Sequence, residues 1–173
     1  MGTCKSCGKQ TFGNYEYCMN CRPQGQKSSQ GGSYRSRDDH RDTSELPAEC
    51  IFTDSFYGSD GYIKGEVYTD AAEKMARLFQ REYMTQTSLR HLFNAVNAIK
   101  MKLKSDRSTP QGYIRENFLK IIAHTEYQAK RGVVKEVFRK FMDTHKELAI
   151  KDRKEFLGFA DYFMSIVARM KQK

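Results

Sequence analysis

Four cysteines stand within the first 21 residues, Cys4, Cys7, Cys18 and Cys21, in the spacing C-x2-C-x10-C-x2-C. A CxxC turn brings two thiolates to one side of a metal ion, and a second turn completes the four soft ligands of a tetrahedral zinc site. Gly8 follows the first pair and can take the positive φ that such a knuckle requires. Two disulfides would use the same residues, but the N-terminus shows no apolar run of the export type, so an oxidising compartment is not expected. The opening MGTCKS also fits a loose myristoylation pattern with Cys4 as a palmitoylation site. Zinc bound by Cys4, Cys7, Cys18 and Cys21 is the expectation. Cys50 has no paired partner and is expected to be a buried or incidental thiol.

The basic residues form a second pattern. Lys and Arg number 30 against 21 Asp and Glu, a net charge of +9. Residues 1–50 carry 7 basic and 6 acidic side chains, whereas residues 51–173 carry 23 and 15, so the positive field belongs to the second region. Arg131, Lys135 and Arg139 recur every four residues, one side of a helix. Lys100, Lys102, Lys104 and Arg107 concentrate at the end of another, and Arg90 follows a face with Asn94 and Asn97. Cations beside amide donors suit a phosphate backbone better than base-specific reading. Helix-end complementation and surface i,i+4 pairing would produce the same residues, and spacing does not separate the two readings.

Catalytic patterns are sparse. His91, His124 and His145 fall on three different expected helices, and no HExxH, GxSxG, P-loop or GxGxxG occurs. Each histidine is expected to pack or to face solvent. A metal-dependent nuclease is the weakest of the functional readings, because no carboxylate cluster suited to two-metal chemistry appears. The Asp38–Asp42 run DDHRD lies in a segment too polar to preorganise it and is read as solvated charge.

Three regions must position these groups: residues 1–24 with the cysteines, a Gly/Ser/Gln-rich flexible linker over 25–49, and a folded region over 50–173. Residues 50–68 combine Ile51, Phe52, Phe56, Tyr57, Tyr62, Ile63 and Val67 with glycines, an ordered lead-in. Helical periodicity follows. Thr69 and Asp70 cap a first helix reaching about Tyr83, and Thr87 or Ser88 a second through Leu103. Pro110 starts a third, Gly132 separates it from a fourth, and a fifth runs from about Lys151 to Lys171. The expected fold is an all-α five-helix bundle preceded by a small zinc-binding unit and a tether. No stretch approaches the roughly 20 apolar residues of a membrane span, so a cytoplasmic protein without membrane partners is expected.

Two resemblances extend this reading. CKSCGKQTFGNYEYCMNC resembles the short zinc ribbon of many prokaryotic proteins over residues 1–24. DAAEKMARLFQREYMTQTSLRHLFNAVNAIKMKL at Asp70–Leu103 resembles the small subunit of type III-A CRISPR (Csm) interference complexes, through Thr85, Thr87, Ser88, Leu89, Arg90, Leu92 and Phe93. The closing KDRKEFLGFADYFMSIVARMKQK resembles that family's last helix, so the likeness covers residues 51–173. The ribbon and tether are not part of the usual small subunit.

The resemblance implies a non-catalytic subunit whose copies stack as an inner filament along the CRISPR RNA paired with target RNA. Its implied partners are the backbone ribonuclease subunit and the large signalling subunit. Because base pairing supplies recognition in guide-directed complexes, the protein would grip RNA without reading it. Candidate RNA contacts are Arg90, Lys100, Lys102, Lys104, Arg107, Arg131, Lys135 and Arg139. The alternative is a stand-alone zinc-ribbon nucleic-acid-binding accessory protein.

Overall fold

A computed structural model describes residues 2–11, Cys21 and residues 45–170. The chain divides into two compact units, residues 1–40 and 41–173.

In the first unit, two-residue strands β1 (Gly2–Thr3) and β2 (Gln10–Thr11) pair antiparallel, Thr3 opposite Gln10. The turn between them is closed by Cys4 N–H to the Lys9 carbonyl (2.9 Å) and Gly8 N–H to the Cys4 carbonyl (3.0 Å). Gly8 has φ +72°, the left-handed conformation expected of it. Cys18, most of the tether and the Asp38–Asp42 run lie outside the described residues.

The second unit is the expected five-helix bundle: α1 (Asp70–Arg81), α2 (Gln86–Ser105), α3 (Gln111–Lys130), α4 (Glu136–Lys151) and α5 (Arg153–Arg169). Three boundaries differ from the sequence reading, each for a local reason. α1 ends two residues before Tyr83, which has φ +59° and cannot continue the helix. α2 starts earlier because Thr85, not Thr87 or Ser88, is its cap. The Thr85 hydroxyl accepts the Ser88 N–H and the Ser88 hydroxyl accepts the Thr85 N–H, both at 3.2 Å. This capping box has Ser where Glu or Gln is usual, so the sequence does not show which of Thr85, Thr87 and Ser88 is the cap. α4 and α5 are separated by Asp152 alone, whose extended backbone breaks the helix while its carboxylate accepts the Glu155 N–H at 2.8 Å. Pro110 stands directly before α3 and Gly132 between α3 and α4, as expected.

α5 is the central element. Phe156, Gly158, Phe159, Ala160, Tyr162, Phe163 and Ile166 are all buried, and it packs against each of the other helices. Phe79, Phe118, Phe138 and Phe141 meet it from α1, α3 and α4. Many of these rings meet edge to face, as with Phe118 and Phe159 at 5.0 Å between centroids.

The lead-in completes the core. Leu46 already packs on it, so the folded unit takes in residues ahead of Cys50. Phe56 is fully buried, and its N–H donates to Glu155 Oε2 at 2.9 Å. The Ser55 hydroxyl donates to the other carboxylate oxygen, at 2.5 Å. Tyr162 donates its hydroxyl to the Cys50 carbonyl at 3.0 Å. His145, fully buried, accepts the Phe52 N–H on Nε2 at 3.3 Å and places Nδ1 2.8 Å from the Phe141 carbonyl. This pair of contacts requires the neutral tautomer protonated on Nδ1. Burial lowers the His145 pKa to about 4. Cys50 is a buried thiol, pushed up to about 11 by burial, with Sγ 3.6 Å from the Ala71 carbonyl.

Candidate nucleic-acid interface and metal site

The knuckle in the first unit sets Cys4 and Cys7 on one turn, and the chain brings Cys21 to the same place. One thiol sulfur from each lies within 4.8 Å of the others. Tetrahedral zinc with Zn–S bonds of about 2.3 Å separates its sulfurs by about 3.8 Å, so these three thiols fit such an ion with small adjustment. Among the described residues this is the one group of three or more His, Cys, Asp or Glu side chains close enough to hold a metal.

In the second unit the eight cations of the sequence reading fall into different environments. Lys100 is buried in the bundle wall, its ammonium 2.5 Å from Asp161 Oδ1 and 3.0 Å from Met164 Sδ. Arg139 is half-buried, and its guanidinium bonds both oxygens of Glu136, from Nε at 3.0 Å each, together with Asp143. Lys102 pairs with Asp106 at 3.0 Å on an exposed surface. Arg131 is exposed, its guanidinium 5.4 Å from the Tyr127 ring centroid. Arg90, Lys104, Arg107 and Lys135 are exposed, and their charged groups have no partner among the described residues.

These residues occupy two ends of the bundle. α2 has 20 residues, about 30 Å of helix. At one end its first residue meets the end of α5: the Gln86 amide donates to the carbonyls of Val167 (3.1 Å) and Met170 (2.7 Å). The α1–α2 turn meets the start of α4 there, where the Lys135 N–H lies 3.2 Å from Met84 Sδ. Arg90, Arg131 and Lys135 belong to this end. A groove of about 540 Å³ there is lined by Thr85, Gln86, Thr87, Arg90, Phe93, Asn94 and Val167. Its hydroxyl, amide and guanidinium donors are the chemistry that meets phosphate oxygens. At the other end Arg153 donates to the carbonyls of Leu103, Asp106 and Arg107, the last two at 3.1 Å. That interaction fixes the end of α2, which carries Lys104 about 21 Å along the helix from Arg90, and the turn after it, which carries Arg107.

A family model described as Csm2 Type III-A matches residues 64–172, well over half of the chain and all five helices. The chain belongs to the Csm2 type III-A family. It is a small subunit of the type III-A Csm complex, in a family of non-catalytic small subunits. All eight candidate cations fall inside the Csm2 region, and the cysteine cluster falls outside it. No curated protein and no solved structure matches the chain. No helix among the described residues of this Csm2 chain is long and apolar enough to cross a membrane.

Three features of the Csm2 unit escaped the sequence reading. Lys100 looked like its neighbours Lys102 and Lys104, yet α2 rolls it toward α5, and Asp161 is separated from it by 61 residues. His91 and His124 come together across α2 and α3, ring centroids 5.3 Å apart, with the Gln128 amide 3.2 Å from His124 Nε2. Nothing in their spacing signals that pairing. Arg153, whose bonds to three carbonyls anchor the basic loop, was legible only as a charge near the start of a helix.

Proposed function

We propose that this subunit holds the sugar–phosphate backbone of guide and target RNA inside the Csm complex through the exposed cations at the two ends of its bundle. Family membership carries this reading. The distribution of partners sharpens it. Arg90, Lys104, Arg107, Arg131 and Lys135 present charge to solvent, and Lys102 can exchange an exposed carboxylate, a partner of small net energy, for a phosphate. Lys100 and Arg139 serve the fold through Asp161, Glu136 and Asp143 and are left out of the RNA-binding set.

Rigid helical ends about 20 Å apart suit repeated backbone contact along a strand rather than reading of base edges. Copies of the subunit stack head to tail beside the backbone ribonuclease subunit, an open, heterologous arrangement, with the large signalling subunit in the same cytoplasmic particle. Chemistry on the target belongs to those other subunits. In the N-terminal unit Cys4, Cys7, Cys18 and Cys21 bind one structural zinc ion, which stabilises a unit too small to build a core of its own.

Affinity purification of the tagged full-length chain from its host tests the assignment. A ribonucleoprotein containing several partner subunits and a short RNA of defined length is expected. A chain recovered alone, or with heterogeneous nucleic acid, favours the stand-alone zinc-ribbon accessory protein instead.

A further inference from the structure

α1 and α3 end in the same turn, built on different residues. At α3, Gly132 takes φ +72°, its N–H donates to the Ala129 carbonyl at 2.9 Å, and the Val133 N–H reaches the Gln128 carbonyl at 3.1 Å. At α1, Tyr83 takes φ +59°, its N–H donates to the Gln80 carbonyl at 3.0 Å, and the Met84 N–H reaches the Phe79 carbonyl at 2.8 Å. This is the Schellman helix end, whose left-handed position favours glycine because any Cβ is strained there. Tyrosine is among the costlier choices at that position.

The Tyr83 side chain returns nothing to the fold. It is 79 % exposed, the most exposed large hydrophobic among the described residues, and its ring and hydroxyl have no partner among them. Met84, next to it, is buried and fixes the turn against Lys135. The ring is therefore presented by a rigid turn. Around that turn stand Arg81, Arg90 and Lys135, all exposed and with charged groups unpaired among the described residues. Of the nearby carboxylates, Glu136 is occupied by Arg139, and Glu82 is half-buried. An exposed aromatic flanked by cations matches an unpaired nucleotide, whose base stacks on the ring while its phosphates meet the charges.

We infer that Tyr83 is a stacking platform for an unpaired RNA base, held in a strained helix-end position beside Arg81, Arg90 and Lys135. This inference rests on the proposed RNA-backbone role and adds to it an interaction that does not depend on charge.

The test compares the full-length chain with its Y83G, Y83F and R90E variants. Binding of a fluorescently labelled single-stranded RNA is followed by anisotropy across a salt series, together with thermal melting. Y83G is expected to melt no lower than the wild type, because glycine relieves the backbone. It should lose at least about five-fold in affinity, the low end for removal of one base–aromatic stack, with an unchanged salt slope. Y83F should bind as the wild type does, and R90E should flatten the slope. Y83G binding as tightly as the wild type, while R90E still flattens the slope, overturns the stacking role and leaves the backbone role standing. Y83G that keeps its RNA affinity but fails to enter the complex assigns the ring to a protein partner and also overturns it. Absence of RNA binding by the wild-type chain removes both readings together.

Discussion

Lys100 in α2 reaches across to Asp161 in α5, placing its ammonium 2.5 Å from Oδ1 with only 7 % of the side chain exposed. The Tyr68 hydroxyl donates to the other carboxylate oxygen at 3.1 Å, so Asp161 ties together the lead-in, α2 and α5. Removing one partner of a buried pair leaves the other charge uncompensated, at a cost near the low end of 3–5 kcal/mol because Asp161 keeps some solvent exposure. K100M, which removes the ammonium and keeps the length of the chain, should therefore lower stability by about 3 kcal/mol, read as a reduced midpoint in chemical denaturation. Equal stability of K100M and the wild type would show that the pair does not hold the helices.

Lys104 and Arg107 give the contrasting result. Both are exposed, and neither charged group has a partner among the described residues, so K104E/R107E should fold with stability within about 0.5 kcal/mol of the wild type. For every phosphate of a single strand that the variant no longer neutralises, the slope of log affinity against log salt should shrink in magnitude by about 0.7. A salt slope equal to that of the wild type takes this end of the bundle out of the RNA-binding surface.

The contrast between Lys100 and Lys104 marks where the sequence stops being informative. Three lysines at alternate positions of α2 carry the same local signal, and only the roll of the helix against α5 decides which of them faces Asp161. The helices themselves were readable because Leu89, Leu92, Phe93, Val96, Ile99 and Leu103 recur on one face, and all of them are buried except Phe93, which is half-buried against the core. Gly8 was readable for a related reason, since its left-handed φ follows from strictly local chemistry, and Gly132 was readable as the break between α3 and α4. Tyr83 was not, because its side chain hides a turn normally announced by glycine. Glu155 was equally silent: a carboxylate in the first turn of a helix ordinarily faces water, whereas this one is buried against the Phe56 and Ser55 donors of the lead-in.

Gly158 and Phe56 test how closely the lead-in seats on α5. A methyl group at position 158 would fall 2.6 Å from Phe56 Cβ and 3.1 Å from the Tyr57 ring. G158A should destabilise the bundle by about 1–3 kcal/mol through overpacking, despite the better helix propensity of alanine. A stabilised G158A would mean that the lead-in is free to move away.

His145 sets a pH dependence. Its pKa is about 4 in the fold against 6.5 in the ordinary range, so the unfolded chain binds more protons between those values and stability rises with pH across that window. The contribution is fully present above about pH 6.5 and is lost as pH falls toward 4, a change of about 3 kcal/mol. Denaturation of the wild type and H145N at pH 7.5 and pH 4.5 checks this. The pH-driven loss should be smaller in the variant by most of that amount, and parallel losses would contradict the neutral buried imidazole.

For the N-terminal unit, metal analysis of the purified chain should find one zinc ion, lost in C18S/C21S, while the far-ultraviolet circular dichroism of the helices stays as in the wild type. Full zinc content in that variant would remove Cys18 and Cys21 from the ligand set.

The most direct measurement is ultraviolet crosslinking of the complex purified through this chain, with the RNA-linked peptides identified by mass spectrometry. Linked peptides from this subunit are expected around Arg90, Lys104–Arg107 and Arg131–Lys135, and none centred on Lys100. If every RNA-linked peptide comes from other subunits, the chain does not hold the RNA and the proposed role is wrong.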